Sequence, residues 1–372
     1  MAITLKDVST KKEFYDFIHI PEKIHQGHNE WLPPLYMDEK VFFDPKKNHS
    51  FNVCDHRLIL AYKDDILVGR IMGIINRQYN QMQNVKNVRF GFIETYNDQA
   101  VVHELITEIA NWGREKGMTK IVGPFGFTDR EPQGLLIEGF EHEPVIDSAC
   151  NFEYMPKLVE NEGFTKELDC VLYRYPLANP LPESMYKIYD RITSRKDYEF
   201  LEFKNKRQLK PWIVPVLRAM NESFGEIYGF VPMDEIEMQE MAKKYLPVID
   251  LDFVKIVAKE GRVIAFMISI PNMYKGMQKA KGRLFPFGLI HILRAMKTAK
   301  SLTFMLGAVV PDHQKRGLDL YFTLSTINSA IKRGMVNVDT HVVMEENLEM
   351  MAEFKRYGGF LLKKYRVFQK EL

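Results

Sequence analysis

The amino-acid sequence predicts an α/β fold in which mixed, mostly antiparallel twisted sheets are flanked by helices. Pairs of strand-like apolar runs surround short polar turns, which is typical of β-hairpins. Each hairpin is followed by a strand, an amphipathic helix and a further strand, a succession that builds mixed sheets with helices on both faces. The pattern occurs twice in 372 residues, so we expect two domains, at residues 1–178 and 179–372.

Local patterns define the elements of the first half. Phe14, Phe17 and Ile18 lie at helical spacing, so a short helix is expected that ends near Pro21. The other expected elements are strands at residues 57–63, 66–75, 88–93 and 120–124 and a helix at residues 101–112.

The second half repeats short patterns of the first. We interpret this as duplication of one α/β unit, with a boundary among the prolines at residues 176–182. Two unrelated α/β domains that share generic hairpins are the alternative interpretation. The matched stretches are residues 61–69 with 258–266, 114–118 with 331–335, and 162–166 with 358–363.

Composition narrows the class of protein. Apolar content of 46% and charged content of 27% are those of a globular protein, and a net charge of +2 argues against nucleic acid as the main partner. The sequence shows neither a signal-peptide pattern nor an apolar stretch long enough to span a bilayer. The cysteines Cys54, Cys150 and Cys170 have no metal-site spacing, so we expect a reducing, cytoplasmic setting, no disulfide frame and no metal.

One stretch near the C-terminus has the pattern of an anion site. An apolar run at residues 303–310 predicts a buried strand, and Pro311 ends it. A polar turn that ends in Arg316 and Gly317 follows, and then an amphipathic helix. A strand, a glycine-containing turn and a helix start direct backbone N–H groups and the helix dipole to one point, where a phosphate is stabilised.

This stretch resembles the acetyl-CoA motif of the GNAT superfamily of N-acetyltransferases, Q/R-x-x-G-x-G/A. Residues 314–319 supply the Gln and the first Gly, whereas Asp319 replaces the last small residue. Residues 343–360 resemble the family's later strand, Asn, helix and Gly-Phe signature. The resemblance implies two GNAT-like domains, the second of which binds acetyl-CoA or another acyl-CoA. It places the ligand at Val309, Val310, Gln314, Lys315, Arg316, Gly317, Leu318 and Asn347.

Two departures from the motif carry further expectations. We expect Asp319 to cap the helix from outside, because a carboxylate pointing inward would repel the pyrophosphate. The corresponding turn of the first half has no glycine or cation, and Glu94 and Asp98 lie beside it. We therefore expect the first half to lack a CoA site and to serve as scaffold or as a wall of the acceptor site.

Acyl transfer to an amine needs a base for the ammonium proton and an acid for the leaving thiolate. The resemblance places the acid at Phe354, which has no hydroxyl, so Tyr357 is the substitute; packing at the helix end is its alternative role. Glu345 and Glu346 are candidate bases, with helix-start charges as the alternative. His341 on the same strand is a further candidate.

An insertion at residues 277–298 is unusually apolar for a connection and follows several lysines. Three roles remain open for it: a lid over the active site, an interdomain contact, or a contact with a membrane or an acyl chain.

The predicted function is an acyl-CoA-dependent N-acyltransferase, with acetyl as the expected acyl group and the amine of a small molecule or amino acid as acceptor. A long-chain N-acyl amino acid synthase and a non-catalytic CoA-binding protein are the alternatives. A homodimer is an open option. Neither a Ser-His-Asp pattern nor a GxxxxGK loop is present, so a hydrolase or kinase is not indicated.

Overall fold

The computed structural model describes residues 2–347, 351–352, 355 and 358–372. Within these residues, fourteen strands join one mixed sheet with helices on its faces. The sequence predicts this mixed α/β class, but not the joining of the two halves into one sheet. The strands are β1 (Ile3–Asp7), β2 (Cys54–Lys63), β3 (Ile66–Asn76), β4 (Asn87–Thr95), β5 (Lys120–Gly123), β6 (Leu135–Glu138), β7 (Thr165–Pro176), β8 (Glu199–Leu201), β9 (Val254–Lys259), β10 (Arg262–Pro271), β11 (Ser301–Val309), β12 (Asn337–Thr340), β13 (Val343–Met344) and β14 (Phe360–Glu371).

Eleven α-helices lie wholly within the described residues, together with short 3-10 turns. They are α1 (Lys11–Ile24), α2 (Tyr36–Phe42), α3 (Arg77–Met82), α4 (Gln99–Glu115), α5 (Tyr154–Asn161), α6 (Glu183–Thr193), α7 (Lys206–Ser223), α8 (Glu235–Tyr245), α9 (Tyr274–Ala280), α10 (Gly288–Thr298) and α11 (Leu318–Lys332).

The order of strands along the sheet is β1-β2-β3-β4-β5-β14-β7-β12-β11-β10-β9-β8. Strand β7, the last of the first half, lies beside β12 of the second half, and β14 lies beside β5 of the first. The two halves therefore exchange their final strands, and β7 and β14 pair antiparallel at the centre. The division into residues 1–178 and 179–372 stays a prediction, because each half of the sheet includes a strand from the other.

The predicted hairpin is present as β2 and β3. Its turn residues Asp64 and Asp65 have φ values of 50° and 65°. Two consecutive positive φ values define the tight turn whose twist matches that of the flanking strands. In β2, Leu58 and Leu60 join one hydrophobic cluster while Ile59 joins the cluster on the other face, so both faces of the sheet are covered.

The expected end of the first helix near Pro21 is wrong. Helix α1 continues to Ile24, and the carbonyl of Pro21 accepts a hydrogen bond of 2.8 Å from the N–H of His25. The start is fixed by a capping box, in which Thr10 and Glu13 satisfy each other's backbone N–H groups. Burial of Ile20 and Ile24 holds the turn after the proline in place.

Candidate active site

Strands β11 and β12 are parallel neighbours that pair only over their first four residues. The pairing runs from Ser301 with Asn337 to Phe304 with Thr340. One more hydrogen bond of 3.0 Å joins the N–H of His341 to the carbonyl of Phe304. Within the described residues, the register between β11 and β12 ends there, so the later part of β11 has no strand partner on this side. We call the space beside this unpaired edge the β11–β12 cleft.

The exposed edge of β11 is apolar. The pairing of β10 with β11 shifts register between Ile268 and Ser269, which leaves Met305 as an extra residue in β11. After this bulge Leu306 and Val309 are half-buried and Gly307 is exposed. Val310 is fully buried and its N–H donates to the carbonyl of Ile264 at 3.0 Å, so its side chain belongs to the core.

Residues 311–318 form the turn at the open end of this cleft. Gly317 is the N-cap of α11 with φ 82°, and Lys315 has φ 57°. The positive φ favours glycine here, and a Cβ atom on Gly317 would lie 2.6 Å from Cδ1 of Ile192 in α6, so that side chain would have to move for any larger residue.

The helix start at Gly317 has the properties of an anion site. No side chain caps it, and no acceptor in the described part of the chain takes the N–H groups of residues 315–318. The side chains of Lys315 and Arg316 are exposed beside those groups. Gln314 Nε2 donates to the carbonyl of Val309 at 3.3 Å, which ties the turn to β11. These residues fit the pyrophosphate of an acyl-CoA.

The expectation that Asp319 caps α11 is wrong. The N-cap position belongs to Gly317, two residues earlier, and Asp319 makes no cap hydrogen bond. Its side chain is exposed in the first helical turn, where a negative charge is favourable to the helix dipole.

The equivalent position in the first half is already filled. Asp98 caps α4 by accepting a hydrogen bond of 3.1 Å from the N–H of Ala100, and Lys63 pairs with the Asp98 carboxylate. A Cβ atom on Gly91 in β4 would lie 2.6 Å from the carbonyl oxygen of Phe125, so the chain after β5 occupies the gap. A carboxylate and a filled gap both disfavour a second CoA at this position.

The candidate base Glu345 lies in an ionic cluster between β7 and β14. It pairs with Lys166, and its Oε2 lies 3.2 Å from Nζ of Lys364. The hydrogen bond from Lys166 is the main cause of a lowered pKa at Glu345, so this carboxylate is ionised and already paired with a cation. Glu346 is exposed beside it.

The carbonyl of Asn347 accepts a hydrogen bond of 3.1 Å from the N–H of Met351. The side chain is exposed, as a contact with a pantetheine arm requires. Phe354 and Tyr357, the predicted position and substitute for the acid, lie outside the described residues.

His341 is the further candidate base in the sequence. It follows the last paired residue of β12, at the point where the cleft begins. Burial lowers its pKa to about 4, while a hydrogen bond to the backbone of Ile146 acts in the opposite direction. Among the described residues Nε2 is buried and has no hydrogen-bond partner, while the residue as a whole is half-buried. The imidazole is neutral at physiological pH. In the sequence, the signal for such a residue is a histidine that directly follows a strand of a parallel pair.

A second imidazole group lies in the first half and was missed in the sequence. Nε2 of His25 lies 2.9 Å from Oε2 of Glu94, and Nδ1 of His25 lies 2.8 Å from Nδ1 of His28. The His25 ring stacks on Trp31 and Phe152 with centroid distances of 4.9 and 5.1 Å. In the sequence, the signal for this carboxylate–imidazole–imidazole chain is the spacing of His25 and His28, three residues apart at the end of a helix.

The His28 end of this chain is neutral and close to other titratable groups. Burial lowers the pKa of His28 to about 4. Lys363 acts on His28 through its charge, and burial lowers the pKa of Lys363 itself to about 8. The hydroxyl of Tyr274 in α9 donates to the carbonyl of Asn29, so the loop after His28 contacts the insertion.

Comparison with known proteins adds relatives that span the whole chain. The sequence is 28% identical over 98% of its length to a bacterial ceramide synthase of Caulobacter vibrioides, covering 96% of that protein. It is 22% identical over 97% of its length to Protein YghO of Escherichia coli, covering 94% of it. No family model matches the sequence.

A solved structure gives the architecture. The chain superposes over its full length on 98% of a tandem GNAT protein from the clavulanic acid biosynthesis pathway, with a TM-score of 0.56 and 9% sequence identity. A structural match at an identity this low shows a shared fold but gives no information about the substrate. The chain has the fold of the GNAT acetyltransferases, as its 311–318 turn predicts.

Proposed function

We propose that this protein is an acyl-CoA-dependent N-acyltransferase that acylates the amine of a small amphiphilic molecule. The observation that carries the proposal is the uncapped start of α11 at Gly317, which opens onto the unpaired edge of β11. The GNAT fold and an acyl-transferring relative of nearly equal length support it.

Each wall of the β11–β12 cleft has a role in this proposal. The N–H groups of residues 315–318, with Lys315 and Arg316, hold the pyrophosphate. The edge of β11 from the Met305 bulge to Val309 spans roughly 13 Å at strand rise and holds the pantetheine arm, with Asn347 on the opposite side. When bound, the acyl-CoA supplies an acyl group activated as a thioester.

The proton of the acceptor ammonium goes to a base near the start of the cleft. We assign this role first to Nε2 of His341, which is buried, unpartnered among the described residues and neutral at physiological pH. Glu345 and Glu346 are the second choice, because Lys166 already compensates the charge of Glu345. Tyr357 remains the proposed acid for the thiolate.

A long acyl chain is our proposal for the transferred group, in place of the acetyl group expected from the motif. A ceramide is an amide of a long-chain amine and a fatty acid, and the Caulobacter relative that bears this name matches 98% of the chain. The apolar edge of β11 at Leu306 and Val309 suits an uncharged arm but does not select chain length.

The setting we propose is the cytoplasm. The three cysteines are all free thiols, and burial raises the pKa of Cys150 to about 11. In the described residues, no helix is both long and apolar enough to cross a bilayer.

The test is a release assay for free CoA with purified protein, acyl-CoAs from two to sixteen carbons, and three acceptors. The acceptors are a long-chain amino alcohol, a short amino alcohol and an amino acid. We expect turnover with long-chain acyl-CoA and the long-chain amine, and loss of acyl-CoA binding on Gly317→Glu in titration calorimetry. Binding without turnover for every pair would favour the non-catalytic alternative. Absence of acyl-CoA binding would overturn the proposal.

A further inference from the structure

The insertion between β10 and β11 has a charge pattern unlike the rest of the chain. Residues 261–311 contain no Asp or Glu, whereas the whole chain has 49 acidic residues. Between residues 272 and 300 the sequence has five Lys and two Arg. The insertion folds into α9 and α10, which carry four of these seven cations, and the other three lie in the segments that follow each helix.

The inner face of this helix pair is fixed to the protein. A Cβ atom on Gly276 would lie 2.6 Å from the carbonyl oxygen of His291, so α9 and α10 touch at backbone distance. The N–H of Tyr36 donates to the carbonyl of Gly282 at 3.0 Å, and Arg283 pairs with Glu22 at 3.1 Å. Contact with the first half, one of the three predicted roles, is therefore present. The buried members of this face are Met277, Ala280, Ile292 and Met296, packed against Leu32, Leu35 and Ile146.

The outer face is apolar and exposed. Phe285 is 72% exposed, Phe287 66% and Ile290 61%, and Leu289 and Leu293 are more than one-third exposed. Single exposed apolar residues are common, but five within nine residues of sequence, in the loop before α10 and in its first turns, mark an interaction surface.

Cations without carboxylate partners surround this surface. Lys275 and Arg283 pair with Glu143 and Glu22. Lys279, Lys281, Arg294 and Lys297 make no ion pair within 4.0 Å in the part of the chain that the structure describes.

We propose that the outer face of the loop and helix α10, residues 285–297, docks on an anionic lipid bilayer. The side chains of Phe285, Phe287 and Ile290 enter the boundary between headgroups and acyl chains. The neighbouring Lys and Arg contact lipid phosphates. A helix with bulky apolar residues on one side, cations around them and no acidic residue matches a bilayer surface better than a protein partner, whose interface mixes both signs of charge.

This inference does not depend on the proposed enzymatic activity, because lipid binding needs neither acyl-CoA nor acceptor. Docking on a bilayer also brings the proposed enzyme to a source of amphiphilic substrate. Strand β11 begins at Ser301, directly after α10, so the docked face belongs to the segment that leads into the cleft.

Vesicle flotation tests the proposal. The full chain is mixed with vesicles of phosphatidylcholine containing 30% phosphatidylglycerol, and separately with pure phosphatidylcholine, at low and at high salt. We expect binding to the anionic vesicles that weakens with salt. Phe285→Ser combined with Phe287→Ser should weaken it at least about tenfold, because two exposed rings no longer leave water. Arg294→Glu combined with Lys297→Glu should remove the preference for anionic vesicles.

The matched control substitutes exposed apolar residues elsewhere, Ile66→Ser and Ile236→Ser, which are 67% and 59% exposed. These variants should float like the wild type, and all variants should share its thermal unfolding midpoint. No flotation of the wild type, or equal losses in the controls, overturns the proposal. A protein that does not float but changes from dimer to monomer on Phe285→Ser and Phe287→Ser would assign the face to a second copy of the chain instead. Gly317→Glu should float like the wild type, so a failure of vesicle binding can be distinguished from a failure of the enzymatic proposal.

Discussion

His341 is the side chain on which the proposed chemistry most depends. Its backbone N–H makes the last hydrogen bond between this segment and β11, so the sheet fixes the backbone from which the ring extends. Burial disfavours the protonated ring and lowers its pKa from 6.5 to about 4. The imidazole is therefore a free base throughout the neutral range, although its driving force for taking a proton is modest.

Replacing His341 with Gln should lower kcat by roughly a hundredfold or more, the usual contribution of a general base. Affinity for acyl-CoA should stay within about twofold, because the 311–318 turn is unchanged. In the wild type, kcat should stay level from neutral pH downward and fall only as pH approaches about 4, where His341 becomes protonated. Steady-state kinetics against pH, together with calorimetry of acyl-CoA binding, measure both effects.

His56→Gln is the control, since this half-buried histidine lies on β2 of the first half, away from the cleft. If kcat of the His341 variant stays near the wild type, the base is elsewhere. A large loss on His28→Gln in the same assay would then favour the chain formed by Glu94, His25 and His28.

A prediction at Gly317 separates the effect of backbone strain from the effect of contact with a neighbouring side chain. Gly317→Ala places a Cβ atom 2.6 Å from Cδ1 of Ile192 at a φ of 82°, so the alanine is strained and either the Ile192 side chain or the turn must move. We expect acyl-CoA affinity to fall at least about tenfold, as the N–H groups of the turn lose their common direction. Gly334→Ala is the matched control, because Gly334 has φ 73° and no atom within 4 Å of its Cβ position. It should cost about 1 kcal/mol of stability and leave binding unchanged; equal losses of affinity would contradict the role given to the turn.

At the scale of elements, the pairing of β7 with β14 is held by one buried carboxylate. The side chain of Asp169 is fully buried and lies 2.8 Å from Nε of Arg366 and 2.9 Å from Nζ of Lys364. Burial alone would raise its pKa, but the pairing with Arg366 and Lys364 outweighs burial and lowers the pKa to about 2. This ion pair therefore stabilises the strand exchange.

Asp169→Asn should reduce the free energy of unfolding by roughly 2 kcal/mol at neutral pH. The folded-state pKa is depressed below the ordinary value of 3.8, so this stability is complete above about pH 4 and is lost as pH falls toward about 2. Urea unfolding of both proteins across this range should show their difference shrink. Asp197→Asn is the control, because Asp197 also pairs with an arginine but is exposed, and it should change stability little. A difference that stays constant with pH would contradict the account of Asp169.

What the sequence predicted correctly depended on local information. The turn at Asp64 and Asp65 and the helix α4 follow from patterns within a dozen residues, and the 311–318 turn follows from its glycine. Helix α1 was predicted too short, because burial of Ile24 outweighs the break expected at Pro21.

Long-range partners could not be predicted in the same way. Glu94 is 69 residues from His25, so neither residue indicates the other. The sequence does not indicate the strand exchange either, because the alternation of apolar and polar residues in β14 is the same whether the strand pairs within its own half or with β5. Only the assembled sheet distinguishes these cases.

At the scale of the whole molecule, the exchange makes the two halves depend on each other. Strand β5 pairs with β14 from Gly123–Phe368 to Lys120–Glu371, and β7 pairs with β12 on its other side. If residues 1–178 were produced alone, β5 would present an unpaired edge and β7 would lack both neighbours. Such edges favour aggregation over folding.

We therefore expect residues 1–178 and 179–372 to be insoluble when expressed separately and to purify as a 1:1 complex when expressed together. The complex should unfold in one cooperative transition, because neither sheet is complete without the other chain. Removing residues 360–372 from the second chain should abolish the complex, since β14 is lost. Removing residues 2–8 from the first chain is the control, because β1 pairs only with β2 at the far edge and its loss leaves the centre intact. Two independently folded halves with separate unfolding transitions would show that the exchanged strands are not what unites the molecule.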